Sequence, residues 1–499
     1  MKDGDSRSAL VEAYVRGETT SESVAELEDA LRSDAEFRRD FLDYLNLDLA
    51  LSLELGAPEF SEDREAAPEV VPFPTENPRR NLSWIAAAAA VIALLWVSAT
   101  LWNSFAKPSA EITQAIGAQA IQLGDAIGGE CVELEEGLLE MRSPKGARIV
   151  VEAPAAFQFE SDQTLRLFRG RLSAEVPESA HGFTVLTPSG KAIDLGTEFG
   201  VDVPVDGEPE IHVFDGEVVA HAEDGEPLHL FKGDAFTLTS GGGLTRGLRS
   251  AAFVRAEEMS WFPEADPIER KAQSEATLAK WKTDPDLIAL LDFENAEISR
   301  EGQFRTCQGR WPGSRALEFV TEGDHLTLDV GGDRDWPELT LSAWVRLDRL
   351  GAPYQSLLHT DGWDGDNPGQ VHWMLTHLET MRLALRNNAL APSEQGGKGF
   401  PDSTTSVLPE KGRWVHLVTV YDAPGKQVRF YLNGQLDQET QLAIAHPARL
   451  GKAQIGNWDR NDRKLSGRVD EMLLLGRCLD DDEVHALFDS GNPYRSTAR

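Results

Sequence analysis

Between Asn81 and Ala106 the chain carries no charged residue, and the heart of that run, Trp84 to Val97, is almost wholly apolar. Backbone amides inside a bilayer have no water to pair with, so a crossing segment must satisfy its own hydrogen bonds. A helix does so, and about 20 apolar residues at ~1.5 Å rise each span the hydrocarbon. The run therefore predicts one transmembrane helix over 82–106. Trp84 and Trp102 stand near its ends, where indoles favour the membrane interface, while Trp96 lies inside it. A cleaved signal peptide fits poorly, because roughly 80 mostly polar and acidic residues come first. The competing reading is a buried, alanine-rich core helix. Arg79 and Arg80 before the span, against Lys107 alone just after it, leave the N-terminus in the cytoplasm.

A chain of 499 residues exceeds what one hydrophobic core organises, so several domains are expected. The formal net charge of -35 argues against nucleic acid as a direct partner, because phosphate binding needs clustered Lys and Arg and no such cluster occurs. Cys131, Cys307 and Cys478 lie far apart, with neither CxxC nor Cys/His metal spacing. They read as isolated small core residues rather than a disulfide framework.

Before the span, Leu10 to Leu55 has helical periodicity: Leu10, Val11, Tyr14 and Val15 recur, then Val24, Leu27, Ala30 and Leu31. Thr20 or Ser21 can cap the second helix, with acids near the helix starts. Phe37, Phe41, Leu45, Leu49 and Leu53 then repeat at i, i+4, one apolar stripe on a charged helix. Such a stripe needs a cover, either the other helices of a three-helix unit or a groove on a partner. The whole stretch resembles the N-terminal segment of anti-sigma-factor and FecR-type regulators. That resemblance implies an extracytoplasmic-function sigma factor as partner, with Phe37, Phe41, Leu45 and Leu49 as contacts. The zinc-binding subclass is excluded, since the stretch has no Cys or His. From Gly56 to Pro78 the chain turns rich in Pro, Glu and Ala, the composition of a disordered tether.

After the span, Ala110 to His221 reads as short strands between turn residues. Leu165, Leu167 and Phe168 precede a turn expected at Gly170; Phe183, Val185 and Leu186 precede Pro188-Ser189-Gly190; Ile211, Val213 and Phe214 precede Asp215-Gly216. The glycines Gly170, Gly196 and Gly216 fit turns with positive φ better than binding. The F-x-V-x-T-P-x-G segment from Phe183, the step Leu195 to Phe199, and V-x-x-G-x-V from Val213 resemble the FecR domain in order and spacing. The resemblance implies periplasmic signal transduction towards the cytoplasmic segment, and hence a bacterial inner membrane.

A mostly helical connector is expected from Ala251 to Asp286. Within it, Glu264, Asp266 and Glu269 match the E-x-D-x-x-E spacing of some jelly-roll glycanases. The match reads as coincidence, because Pro267 would break the strand that such catalysis requires. The chain also lacks H-E-x-x-H, a G-x-S-x-G elbow and a phosphate-cradling glycine loop.

From Leu287 to Gly491 strands dominate. Leu339, Leu341, Ala343, Val345 and Leu347 alternate with Thr340, Ser342, Trp344 and Arg346, which predicts a half-buried strand. Trp414 to Tyr421 and Val428 to Leu432 follow, and Asn433-Gly434 signals a type I′ hairpin. These strands, the closing Gly467 to Glu471 segment and a short helix with Leu479 and Val484 resemble a LamG-type, concanavalin A-like jelly-roll. The resemblance implies glycan or protein binding at loop rims, sometimes through calcium. Asp361, Asp364, Asp366 and Asn367 offer the closely spaced oxygens that calcium favours, although Asp-Gly pairs are also ordinary turn chemistry. Trp363 in that loop can stack on a sugar ring. Trp458, with Asp459, Asn461 and Asp462, forms a second loop of the same kind, whereas Asp470 and Glu471 read as structural.

The sequence thus predicts a multidomain chain: a small all-α N-terminal module (1–56), a disordered linker (57–80) and one transmembrane helix (82–106) come first. An all-β FecR-like domain (110–248), a helical connector (249–286) and an all-β concanavalin A-like (LamG) sandwich (287–491) follow. The expected function is signal transduction without catalysis, joining a sigma factor inside to a glycan or protein ligand outside. No cofactor is required, and calcium is the one that the loop composition admits. The rival is a cell-surface carbohydrate-binding or adhesion protein whose N-terminal helices merely dimerise. A membrane-tethered glycan hydrolase ranks third, because no paired acids face one groove.

Overall fold

The structure, a computed structural model, describes residues 110–118, 121–223, 225–239, 242–263, 267–294, 302–349, 353–363, 368–394 and 399–494. The chain divides into two units, Met1–Ala86 and Ala87–Arg499, and every described residue belongs to the second. The helical module with Phe37, Phe41, Leu45 and Leu49, the linker and the apolar run 82–106 lie outside the described residues. Among the described residues the chain is mostly β with two α-helices, neither of them long and apolar enough to cross a membrane.

The first strands join in a sheet of 14 strands. Its spine is the antiparallel pair β1 (Arg148–Ser161) and β2 (Thr164–Glu175). β2 also pairs with β3 (Glu198–Val203), and β3 with β4 (Glu210–Asp215). Alternate side chains such as Leu165, Leu167, Leu172 and Ala174 enter the core, as the period of two in a strand requires. Gly170 does not end its strand as expected. β2 runs through it at φ +104, opposite Ala155, where the register with β1 slips. A Cβ there would lie 2.5 Å from that of Ala155, so the residue belongs to a bulge that admits only glycine. Gly196 and Gly216 do occupy turns at positive φ. The first is held by its own motif, since Asp194 Oδ2 accepts the Gly196 N–H at 2.8 Å.

The connector is helical over a shorter stretch than expected. Two 3-10 turns, Ser250–Ala252 and Glu258–Trp261, precede a single helix, α1 (Pro267–Trp281). Pro267 opens that helix, where its missing N–H costs nothing. Residues 264–266 lie outside the described ones.

The second half is a sandwich of a nine-stranded and a six-stranded sheet. In chain order its main strands are β5 (Arg315–Phe319), β6 (Glu338–Leu347), β7 (Tyr354–Thr360), β8 (Val371–Thr376) and β9 (Met381–Leu385). β10 (Trp414–Asp422), β11 (Gln427–Leu432), β12 (Ala448–Ile455) and β13 (Gly467–Leu475) complete it. The nine-stranded sheet contains β5, β13, β6, β10 and β11, and the six-stranded sheet contains β12, β7, β8 and β9. Phe319, Leu341, Trp373, Leu383 and Phe430 fill the space between them. Each such side chain contributes about 1.5–3 kcal/mol by leaving water. The hairpin between β11 and the following strand, Gln435–Ile444, turns at Asn433-Gly434 with φ of 50 and 76, and Asn433 accepts the His416 N–H. β6 departs from its half-buried expectation, since both of its faces are covered. Trp344 stacks on His416, with centroids 4.9 Å apart, and on Phe488 of α2 (Asp481–Gly491). That helix starts at a capping box between Asp480 and Glu483.

The other cover of β6 is the start of the connector, which follows the FecR-like half. Arg346 donates to Ala251 O at 3.3 Å, and around it a chain of buried ion pairs joins the two halves. Arg171 on β2 bonds Asp202 at 2.9 Å on its own side and Glu318 of β5 at 2.9 and 3.0 Å across the boundary. Arg468 of β13 reaches back to Glu152 and to Ala252 O, and Arg249 bonds Asp202 and Glu210. Burial alone would raise the carboxyls, but Arg171, Arg468 and Arg249 hold Glu318 down to about 2. Arg171, Arg249 and Arg305 likewise hold Asp202 far below the usual range against the effect of burial. Each ion has an opposite neighbour, which is the condition for burying charge without large cost.

Candidate ligand-binding cleft

The apolar residues of β8, Val371, Trp373 and Leu375, point into the core, so alternation sends His372 and Met374 to the outer face of the six-stranded sheet. On β9 the same rule buries Met381, Leu383 and Leu385 and turns out Arg382 and Ala384, with Arg386 following. Tyr354 on β7 and Arg463 from the loop before β13 complete the wall. Together with Trp363, Asn387 and Phe400 they enclose a cleft of about 390 Å³.

Trp363 lies against His372 with ring centroids 3.9 Å apart and planes tilted by 21°. Beneath them Arg463 Nη1 donates to His359 Nε2 at 2.7 Å and His372 Nδ1 at 3.1 Å. Both imidazoles must accept there, so His359 carries its proton on Nδ1, facing Ser356 Oγ at 2.6 Å. His372 carries its proton on Nε2, and that buried N–H has no partner. Burial, then Arg463, pushes His372 down to about 3, and burial with His372 and Arg463 lowers His359 well below its ordinary value. Both rings are therefore neutral near pH 7, and the charge of the cluster resides on Arg463. Arg382 is bound in two-pronged fashion by Asp402, at 2.6 and 2.8 Å.

Trp363 and Trp458 converge on one histidine but do different work. Trp363 lines the cleft, while Trp458 is only 6% exposed and meets His372 edge-on at 5.0 Å from below. Arg463 covers the Trp458 ring at 4.2 Å, and the indole N–H donates to Asp462. Asp361 sits just past β7, exposed, its carboxyl raised by partial burial and by Asp459. Asp364, Asp366 and Asn367 lie outside the described residues. Among the described residues no cluster of three or more His, Cys, Asp or Glu side chains is placed to hold a metal ion. Asp470 and Glu471 are buried against Arg310, at 3.1 and 2.8 Å, in keeping with a structural role. His372, Arg382, Arg386 and Arg463 were not singled out from the sequence. The signal lay in the polar residues that alternate with core residues along Val371–Thr376 and Met381–Leu385.

Residues 133–219 match the family described as FecR protein, and residues 321–485 match the concanavalin A-like lectin/glucanases superfamily. The chain thus combines a FecR segment with a C-terminal concanavalin A-like domain. No curated protein matches. Similar solved structures include a carbohydrate-binding module, CBM40, of the Ruminococcus gnavus IT-sialidase bound to α2,3-sialyllactose. Identity there is 18%, coverage 35% of this chain and 96% of that one, and the TM-score 0.28. Domain 4 of the Geobacillus stearothermophilus arabinanase AbnA, in complex with arabinotriose, gives 15%, 40%, 98% and 0.31. The binding domain of Paraclostridial Mosquitocidal Protein 1 gives 17%, 38%, 45% and 0.29, so the chain spans under half of that protein's length.

Proposed function

We propose that this FecR-type chain with a concanavalin A-like sandwich is a single-pass regulator of the bacterial inner membrane. In this reading the cleft over the six-stranded sheet binds a glycan in the periplasm, and the N-terminal helices hold a sigma factor in the cytoplasm. The observation that carries it is the cleft: an aromatic ring, Trp363, stands over an open polar sheet face that also presents guanidinium groups. The match of 133–219 to FecR supports the regulatory half, because the glycan-binding domain is joined to that segment through buried ion pairs. Binding and relay, rather than catalysis, suit a wall beside which Asp402 is committed to Arg382.

The test is purification of the full chain from membranes, with identification of what co-purifies. Recovery of a sigma factor, lost with Phe41→Asp and Leu45→Asp, supports the reading. A chain that binds glycan but retains no cytoplasmic partner would instead be an adhesion or scaffold protein.

A further inference from the structure

The polar inventory of the cleft is one-sided. Arg382 is neutralised by Asp402, whereas among the described residues the carboxylate nearest Arg463 is Asp462 at 3.8 Å, and the Arg463 Nη1 is spent on the two histidines. Arg386 faces the Trp363 ring at 6.0 Å, and no carboxylate among the described residues pairs with it. Its Nε–H has no partner, and neither has the Nε2–H of His372, a residue 1% exposed. Both unsatisfied polar atoms among the described residues lining this cleft are therefore donors, and no Asp or Glu lines it among them. A buried donor left unpaired is costly, so this wall favours a ligand that brings acceptors. In a chain of net charge -35, a local excess of guanidinium also singles out this face for an anion.

We propose that the cleft takes an acidic saccharide, one sugar ring lying against Trp363 and its anionic substituent reaching Arg386 and the His372 N–H. This rests on the glycan-binding reading above and narrows it to one ligand class. Planar guanidinium suits both carboxylates and sulfate esters, so the shared chemistry is an anionic group on a pyranose.

The experiment measures binding by the full chain, in detergent, to two matched polymer pairs: polygalacturonate against its methyl ester, and κ-carrageenan against agarose. The expected result is that the acidic member of one pair binds at least about tenfold more tightly than its neutral counterpart, with affinity falling as salt rises. The pair that responds identifies the anion as carboxylate or sulfate. Arg386→Gln should weaken acidic-polymer binding by about 10- to 100-fold. Arg386→Lys, which keeps the charge, should retain most of it. Equal binding of neutral and acidic members, or an equal loss in both variants, overturns the acidic specificity while glycan binding stands. If no polymer of either pair binds, the glycan-binding reading itself fails.

Discussion

Replacing Glu318 by glutamine keeps the shape of the side chain at the centre of the inter-domain network and removes its charge. Glu318 is 1% exposed, accepts from Arg171 at 2.9 and 3.0 Å and from Arg468 at 3.4 Å, and has Arg249 at 3.8 Å. Glu318→Gln leaves these three buried guanidiniums one carboxylate short. Breaking a buried pair from one side costs about 3–5 kcal/mol. For the roughly 385 residues from 110 to 494 at about 2.1 cal/mol/K each, that corresponds to a fall in Tm of about 4–6 °C. The pH profile gives an independent readout. Glu318 is held at about 2 in the folded chain against 4.5 as its ordinary value. Its contribution is therefore complete above about pH 4.5 and fades as pH falls towards 2. Calorimetry of the full chain at pH 7 and across pH 5 to 3 should show a lower midpoint for the variant and a shallower acid loss. A midpoint within about 1 °C of the parent at pH 7 would refute the argument, because the boundary would then have to be wet enough to screen the pairs.

Glu258 carries the opposite sign. It is buried at the boundary with Arg346 no nearer than 3.9 Å, and burial pushes it up to about 7. A carboxyl raised in the folded state withdraws stability as pH rises from about 4.5 to 7, so Glu258→Gln should flatten urea-midpoint profiles over pH 5 to 8 and stabilise by on the order of 2 kcal/mol at pH 8. Trp363→Ala should weaken saccharide binding about tenfold or more with little change in Tm. Trp458→Ala, which removes a buried ring, should lower stability by about 3–5 kcal/mol; equal effects of the two substitutions on stability would contradict their assignment to surface and core. Gly170→Ala should destabilise by at least about 1–3 kcal/mol in chemical denaturation, because it meets both a positive φ and the Ala155 side chain.

Local pattern carried much of the architecture. The alternation from Leu339 to Leu347, the Asn433-Gly434 turn and the step Leu195 to Phe199 specify strands and reversals through near neighbours alone, and both β families were legible in them. The aromatic half of the cleft was legible too, since Trp363 stands in a loop rich in turn residues. What the sequence could not supply was pairing across distance. Whether the Thr340 to Arg346 face of β6 meets water depends on α2 and on the connector turn Ser250–Ala252, which arrive from remote parts of the chain. Arg171 and Glu318 are 147 residues apart and Arg468 and Glu152 are 316 apart; in the sequence each is one charge among many. The same holds for the cleft, where His359, His372 and Arg463 become one cluster only when β7 and β8 pair and the loop before β13 folds over them. A charge acquires its energetic meaning from how dry its surroundings are and what opposes it, and tertiary packing alone sets both.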